Sequence, residues 1–150
     1  MINDPSIYLG IGMVLSLLAT ETLGVTAGGL IVPGYIALNL DDPIKLLITF
    51  SVSILTYYIV KFFGNFILIY GKRRLVFTLL LGFLLGSITH HFADNKFWDE
   101  RYDVIGNIIP GLIANWIDRQ GLLRTMSIVL IISSITRLII ICLEILTYYV

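Results

Sequence analysis

The residues of this sequence best suited to bind an anion lie in a phrase that occurs twice. Residues 29–37 and 106–114 share the pattern Gly-x-Ile-x-Pro-Gly-x-Ile-Ala, with six of nine positions identical. The steps Pro33-Gly34 and Pro110-Gly111 each fix one backbone angle, remove one N–H donor and interrupt a helix. A short helix that begins at such a step would direct free N–H groups and the positive end of its dipole at a carboxylate. The alternative is that each step is only a kink that lets helices pack.

Three ionisable residues within or beside apolar segments are candidates for such a site, and the cations among them, Arg137 and Lys61, could add full positive charges. Arg137 lies near the middle of the last apolar segment, where a charge in a membrane costs at least about 2.5 kcal/mol, so it should be paired. Glu144 is seven residues further on, about 10 Å along a helix, so the partner is expected on another helix. Lys61 either reaches the membrane interface or lies inside the membrane. Glu21 either lies at the interface or faces the cavity formed by the Pro-Gly phrase.

The elements that must position these residues are membrane helices. Hydrophobic residues make up 57% of the chain, charged residues make up 13%, and the mean hydropathy is +0.93. Soluble domains have about a quarter of their residues charged. Residues 1–150 are therefore predicted to form a single all-α, polytopic integral membrane domain. The net charge of zero argues against nucleic acid as a partner, and the single Cys142 excludes an internal disulfide.

The two phrases divide the chain into internal repeats, about 1–71 and 75–150, each with a broken segment between two longer apolar segments. If the broken segments are re-entrant, there are four full spans and two half-spans, the halves are parallel, and both termini are cytoplasmic. If the broken segments cross the membrane, there are six spans in an inverted repeat, and both termini are outside. The shortness of the segments and the Pro-Gly break favour the re-entrant arrangement.

Polar residues between the apolar segments predict the orientation. Lys72-Arg73-Arg74 form a basic turn, which the positive-inside rule places in the cytoplasm. Residues 94–103 form an acidic loop that is more easily placed outside. The adjacent His90 and His91 would point to different sides of a helix and have no Cys or carboxylate at ligand spacing, so no metal site is predicted.

Four stretches of the sequence resemble a known family. They are Leu30-Ile31-Val32-Pro33-Gly34-Tyr35, Leu55-Thr56-Tyr57-Tyr58-Ile59-Val60-Lys61, Tyr70-Gly71-Lys72-Arg73-Arg74 and Ile109-Pro110-Gly111-Leu112-Ile113-Ala114-Asn115. In order and spacing, over nearly the whole chain, they are similar to the small membrane subunit of poly-gamma-glutamate synthase, the PgsC/CapC family. The likeness is weaker between Ser87 and Asp103, where the loop is more polar than in that family, so loop contacts are not carried over.

The resemblance implies a subunit of a complex in the bacterial plasma membrane. In such a complex a cytosolic subunit with a Mur-ligase-like ATP site forms glutamyl gamma-amide bonds. A largely extracellular accessory subunit assists, and the polymer leaves the cell as capsule or slime. We also expect an oligomer or hetero-complex from the residues themselves, because about four helices cannot surround both broken backbone and an intramembrane arginine.

The residues themselves support a limited part of that function. The sequence has no Gly-rich phosphate loop, no paired carboxylates at metal spacing and no Ser-His or Cys-His arrangement, so no catalytic residue and no bound cofactor are predicted. ATP and a divalent metal are expected on the partner ligase. Two functions remain open. The chain either anchors the ligase and forms part of the polymer export path, or it contributes to the synthase active site by holding the growing chain while other subunits perform export.

Overall fold

The computed structural model describes residues 5–66, 71–93 and 105–149, which fold into six helices. In chain order they are α1 (Pro5–Leu23), α2 (Val32–Leu38), α3 (Pro43–Phe66), α4 (Lys72–Ala93), α5 (Ile109–Gln120) and α6 (Leu122–Tyr149). We call α1 to α3 the first half and α4 to α6 the second half. The predicted all-α fold is confirmed, whereas the predicted acidic loop at 94–103 lies outside the described residues.

Three of the described helices are long and apolar enough to cross a bilayer. They comprise Pro5–Leu23, Pro43–Gly64 and Leu122–Thr147. About 20 apolar residues in a helix span the hydrocarbon core, so the prediction of a helical membrane protein is confirmed. α4 is 22 residues long and begins with the basic turn Lys72-Arg73-Arg74. The number of elements that cross the bilayer stays a prediction.

The Pro-Gly phrases begin short helices for reasons local to the sequence. Pro33 and Pro110 lie in the first turn of α2 and α5, where a fixed φ suits the helix and the missing N–H has no helical partner to lose. Upstream, Gly28, Gly29 and Gly106 have φ angles of 70°, 122° and 62°, which side chains with a Cβ rarely adopt. These glycines let the chain turn sharply into each short helix.

After α1 the chain runs back along that helix. The Ser16 hydroxyl, near the middle of α1, donates a hydrogen bond to the Gly29 carbonyl at 3.1 Å. Tyr8, in the first turn of α1, packs against Ala37 near the end of α2. Residues 25–41 therefore return to the end of the bundle where α1 begins, and α3 starts there.

The second half follows the same course in the opposite direction. Arg74, in the first turn of α4, forms a 2.5 Å ion pair with Asp118 near the end of α5, so residues 105–120 return to the end where α4 begins. α4 runs antiparallel to α3, since Phe77 near its start contacts Phe63 near the end of α3.

The two halves therefore run in opposite directions, as in the inverted alternative. In the re-entrant arrangement that the sequence favoured, each broken segment would leave the bundle at the end where the preceding helix finishes. The described contacts instead bring each segment back to the end where that helix starts. The physical reason for this difference is the length of each broken segment. A segment of about 17 residues, part extended and part helical, can match the rise of the preceding helix.

Each half contributes its last helix to the other half. α6 packs along α1 and α2, and α3 packs along α4 and α5. One core joins these two groups and includes Val32 and Ile36 of α2, Ile113 and Ile117 of α5, and Val129 of α6. Ile36 and Ile113 have no exposed surface, and inside a bilayer such side chains hold helices together by close packing rather than by exclusion from water. The halves thus depend on each other for their apolar burial.

Candidate functional site

The first turns of α2 and α5 lie directly against the backbone of neighbouring helices. A Cβ on Gly12 of α1 would lie 2.6 Å from both N and Cα of Gly34, closer than real Cβ atoms approach. A Cβ on Gly82 of α4 would collide with the same two atoms of Gly111. Each contact requires glycine on the long helix. The geometry gives the Pro-Gly phrases the packing role that the sequence left open as an alternative.

A cavity of about 240 Å³ lies where the two broken segments meet. Its lining comes from both halves and consists of Ile31, Tyr35, Gly106, Asn107, Ile108, Ile109 and Leu112. This lining contains no charged side chain, and Pro33 and Pro110 are fully buried outside it. Anion binding at the Pro-Gly phrases stays a prediction, and the lining of this cavity offers no cation to support it.

Arg137 is bound by two residues of the first half. Its Nη1 donates to the Tyr8 hydroxyl at 2.8 Å, and its Nη2 donates to Asp41 Oδ2 at 2.6 Å. The guanidinium carbon also lies 5.5 Å from the centre of the Tyr8 ring. The Arg137 side chain is 24% exposed, whereas that of Asp41 is 75% exposed. The expected partner on another element is therefore Asp41, in the turn between α2 and α3.

A second ion pair has a matching place in the second half. Asp118 accepts a hydrogen bond from Arg74 Nη2 at 2.5 Å. Asp41 and Asp118 each follow the proline of their phrase by eight residues. Neither aspartate was among the predicted site residues. Their equal spacing from the two prolines was the signal that could have identified them as a matched pair of arginine ligands.

The other two predicted charges are not brought to Arg137. Glu21 is exposed near the opposite end of α1 from Tyr8, about 20 Å away along the helix. Lys61 is exposed, and its Nζ donates to the Tyr57 hydroxyl at 3.2 Å. It borders an open groove of about 550 Å³ with Tyr58, Ile59, Phe62 and Phe63. Lys61, Glu21 and Arg137 therefore do not form one site.

One end of the bundle gathers most of the described cations. The Arg74 to Asp118 pair joins the start of α4 to the end of α5, and α6 begins at the same place. The Gln120 side chain donates to the Thr26 carbonyl at 2.9 Å, which brings the end of α1 there as well. We call this the basic end, and its described charged residues are the cations Lys61, Lys72, Arg73, Arg74, Arg119 and Arg124 and the acids Glu21 and Asp118.

The opposite end has a different balance. Its described charged residues are Asp41, Asp42, Glu144, Lys45 and Arg137. Lys45 lies 3.8 Å from Asp42, and Arg137 is occupied by Asp41. Among the described residues, cations therefore outnumber acids six to two at the basic end, but acids outnumber cations three to two at the other. Across residues 5–66, 71–93 and 105–149, no three His, Cys, Asp or Glu side chains are grouped as metal ligands.

These features define a class of protein, an α-helical membrane protein in which two halves of opposite direction exchange their last helices. Residues 11–126 match the family described as capsule biosynthesis CapC. The chain belongs to that family, and the resemblance drawn from the sequence is confirmed.

Two relatives match at similar strength. The capsule biosynthesis protein CapC of Bacillus anthracis is 39% identical over 136 residues, which cover 89% of this chain and 91% of the relative. The PGA biosynthesis protein CapC of Bacillus subtilis strain 168 is 38% identical over 136 residues, with the same coverage. No solved structure matches the chain.

Proposed function

We propose that this chain is the membrane subunit of a complex that makes and exports a poly-gamma-glutamate capsule. In this proposal it anchors a cytosolic, ATP-dependent amide ligase and forms part of the polymer export path in the bacterial plasma membrane. The names of its relatives support a role in capsule or PGA biosynthesis, and the three apolar helices support a membrane location.

The observation that carries the anchoring role is the basic end. Its six cations come from α3, α4, α5 and α6, and only folding places them together. The positive-inside rule assigns such an end to the cytoplasm, where a ligase subunit would work. A concentration of cations also attracts acidic protein surfaces and the carboxylates of a polyanion.

The remaining parts of the complex follow from this assignment. ATP and a divalent metal would be bound by the Mur-ligase-like partner, and this chain would supply no catalytic residue. The accessory subunit would lie at the opposite end of the bundle, outside the cell. There the pair of Arg137 and Asp41 would border the exit from the membrane.

A second function uses the same cations differently. The exposed Lys72, Arg73 and Arg124 could hold the carboxylates of the growing chain close to the ligase. The chain would then contribute to the synthase site, and other subunits would perform export.

Sealed vesicles that contain the ligase, with or without this chain, separate the two functions. Anchoring with export predicts that the chain recruits the ligase to the vesicle and that polymer appears on the far side of the bilayer. Holding the growing chain predicts faster amide formation with all polymer on the ligase side. Ligase recruitment, polymer transfer and a rate of amide formation that are all unchanged in vesicles without the chain would refute both functions.

A charge-reversal pair tests the role of the basic end. Arg73→Glu with Arg124→Glu should reduce ligase recruitment about tenfold. Lys45→Glu at the opposite end, the matched control, should leave recruitment unchanged, because its charge lies across the bilayer from the ligase. Equal losses in both variants would show that the basic end is not the docking surface.

A further inference from the structure

The two broken segments place irregular backbone beside the middle of the bundle, and Gly106, which has no side chain to cover it, is exposed. Residues 24–31 and 105–108 are not helical. Ser16, which binds Gly29, is the twelfth of 19 residues of α1, so the first segment passes near the middle of that helix. Gly82, which lies against Gly111, is the eleventh of 22 residues of α4, so the second segment lies near the middle of α4. Lipid cannot satisfy exposed peptide N–H and C=O groups, and non-helical backbone at membrane depth requires surrounding protein or a water-filled cavity.

The surface over these segments is apolar and continuous across the halves. We call it the mid-depth face and define it by Leu30, Ile31, Tyr35, Ile108 and Leu112. Leu30, Ile31 and Ile108 are 49%, 40% and 55% exposed. The cavity of about 240 Å³ opens on this face. The lining of this cavity has no charged side chain, so the face is poorly suited to a water-filled path for a polyanion. Surrounding protein is therefore the better way to shield the irregular backbone from lipid.

The mid-depth face carries one possible hydrogen-bond donor and one possible acceptor. Tyr35 is 37% exposed, and its hydroxyl makes no hydrogen bond within the described part of the chain. A phenol left without a partner in hydrocarbon is costly. Asn107 lines the same cavity, and its amide oxygen can accept a hydrogen bond. One surface thus carries both a donor and an acceptor, as a self-complementary interface requires.

We propose that a second copy of this chain covers the mid-depth face. The two copies are related by a two-fold axis along the membrane normal, so that both keep the same orientation. Residues from the first-half side of one copy contact residues from the second-half side of the other. Tyr35 of each copy then donates to Asn107 of its partner, and the exposed backbone of both copies is enclosed.

Cysteine cross-linking of the full chain in native membranes tests this dimer. The background is Cys142→Ala, because Cys142 is the single cysteine of the chain and is exposed. Two differently tagged copies, one with Ile31→Cys and one with Ile108→Cys, are expressed together with the other subunits and treated with a short bis-maleimide. The matched control is Leu80→Cys on α4, which is 54% exposed but lies outside the mid-depth face.

The expected result is a product that carries both tags and has the mass of two copies, at least fivefold more abundant than with Leu80→Cys. Adding Tyr35→Phe should lower its yield severalfold, because the bond to Asn107 is lost. An adduct with a different subunit, a ladder of higher oligomers or equal yields for all three positions would overturn the proposal. Rapid reaction of Ile31→Cys with a membrane-impermeant thiol reagent would also overturn it, since the face would then line water.

Discussion

The two halves of the molecule hold equivalent aspartates with arginines of different origin. Asp118 of the second half is bound by Arg74, from the first helix of the same half. Asp41 of the first half is bound by Arg137, from the last helix of the other half. Because α6 crosses into the first half, Arg137 can reach Asp41, whereas Lys45 of α3 lies against the neighbouring Asp42.

This difference shows that two aspartates at the same distance from a Pro-Gly step need not be bound in the same way. The pair of Arg74 and Asp118 closes one end of a single half. Arg137 instead connects α6 to α1 through Tyr8 and to the turn before α3 through Asp41. The ion pair at the opposite end therefore joins the two halves, whereas the ion pair at the basic end lies within one half.

The opposite directions of the halves give the largest expected effect, an all-or-none difference in labelling. Asn3 and Asn95 lie outside the described residues but adjoin the start of α1 and the end of α4. Single Asn3→Cys and Asn95→Cys variants, in the Cys142→Ala background, are labelled on intact cells with an impermeant maleimide. With the basic end in the cytoplasm, inverted halves place both positions outside, and both should react. Reaction of Asn95→Cys alone would support parallel halves and contradict the opposite directions of the two halves.

The glycine contacts should be equally sensitive in the two halves. Gly12→Ala and Gly82→Ala each force a Cβ into the backbone of the facing short helix. Overpacking of this kind costs about 1–3 kcal/mol or more, so both variants should lose most of their folded protein when heated in detergent. Gly10→Ala is the matched control, because a Cβ there meets no atom within 4 Å. A large loss in only one half would show that the two contacts differ in importance.

Replacing Arg137 and replacing Arg74 should have different effects on polymer release, but both replacements should have only small effects on stability. Each pair is partly exposed, so its loss should cost about 1 kcal/mol or less. Arg137→Leu should reduce polymer release about tenfold at normal protein abundance, because it disconnects the halves at the proposed exit. Arg74→Leu should reduce release no more than twofold to threefold. Arg137→Lys should retain part of the activity, since the charge remains but the two-pronged binding is lost. Polymer yield and protein abundance are measured in the same cells.

A double variant identifies how Arg137 acts. If Arg137 works through Asp41, Asp41→Asn should resemble Arg137→Leu, and combining them should add nothing further. Additive losses would mean that Arg137 has a separate task, such as contact with the polymer. Normal release by Arg137→Leu would make the residue structural and would exclude its charge from a role in the polymer export path.

The sequence predicted the elements better than their arrangement. The Pro-Gly steps mark where α2 and α5 begin, because proline and glycine act on the backbone locally. The need of Arg137 for a partner on another element also followed from the cost of an unpaired charge. The identity of that partner did not follow, because Glu21, Glu144 and Asp41 are similar carboxylates when only their positions along the chain are known.

The exchange of α3 and α6 could not be read from periodicity. Both helices are apolar around most of their circumference, so their sequences do not indicate which neighbour they prefer. The contacts of Gly12 with Gly34 and of Gly82 with Gly111 join residues 22 and 29 positions apart. They depend on the direction in which the broken segment returns, and the shortness of that segment had favoured the other direction.

The exchange of the last helices also sets an order on biosynthesis. α2 ends at Leu38, but α6, which packs against it, begins at Leu122, so about 80 residues must be made before α6 starts to emerge. At about 5–20 residues per second, translation takes roughly 4–17 s to cover that distance. During this interval the first broken segment has α1 beside it but not α6. A nascent chain of this kind needs temporary shelter for its exposed backbone, which the insertion machinery or a chaperone must supply until the last helix arrives.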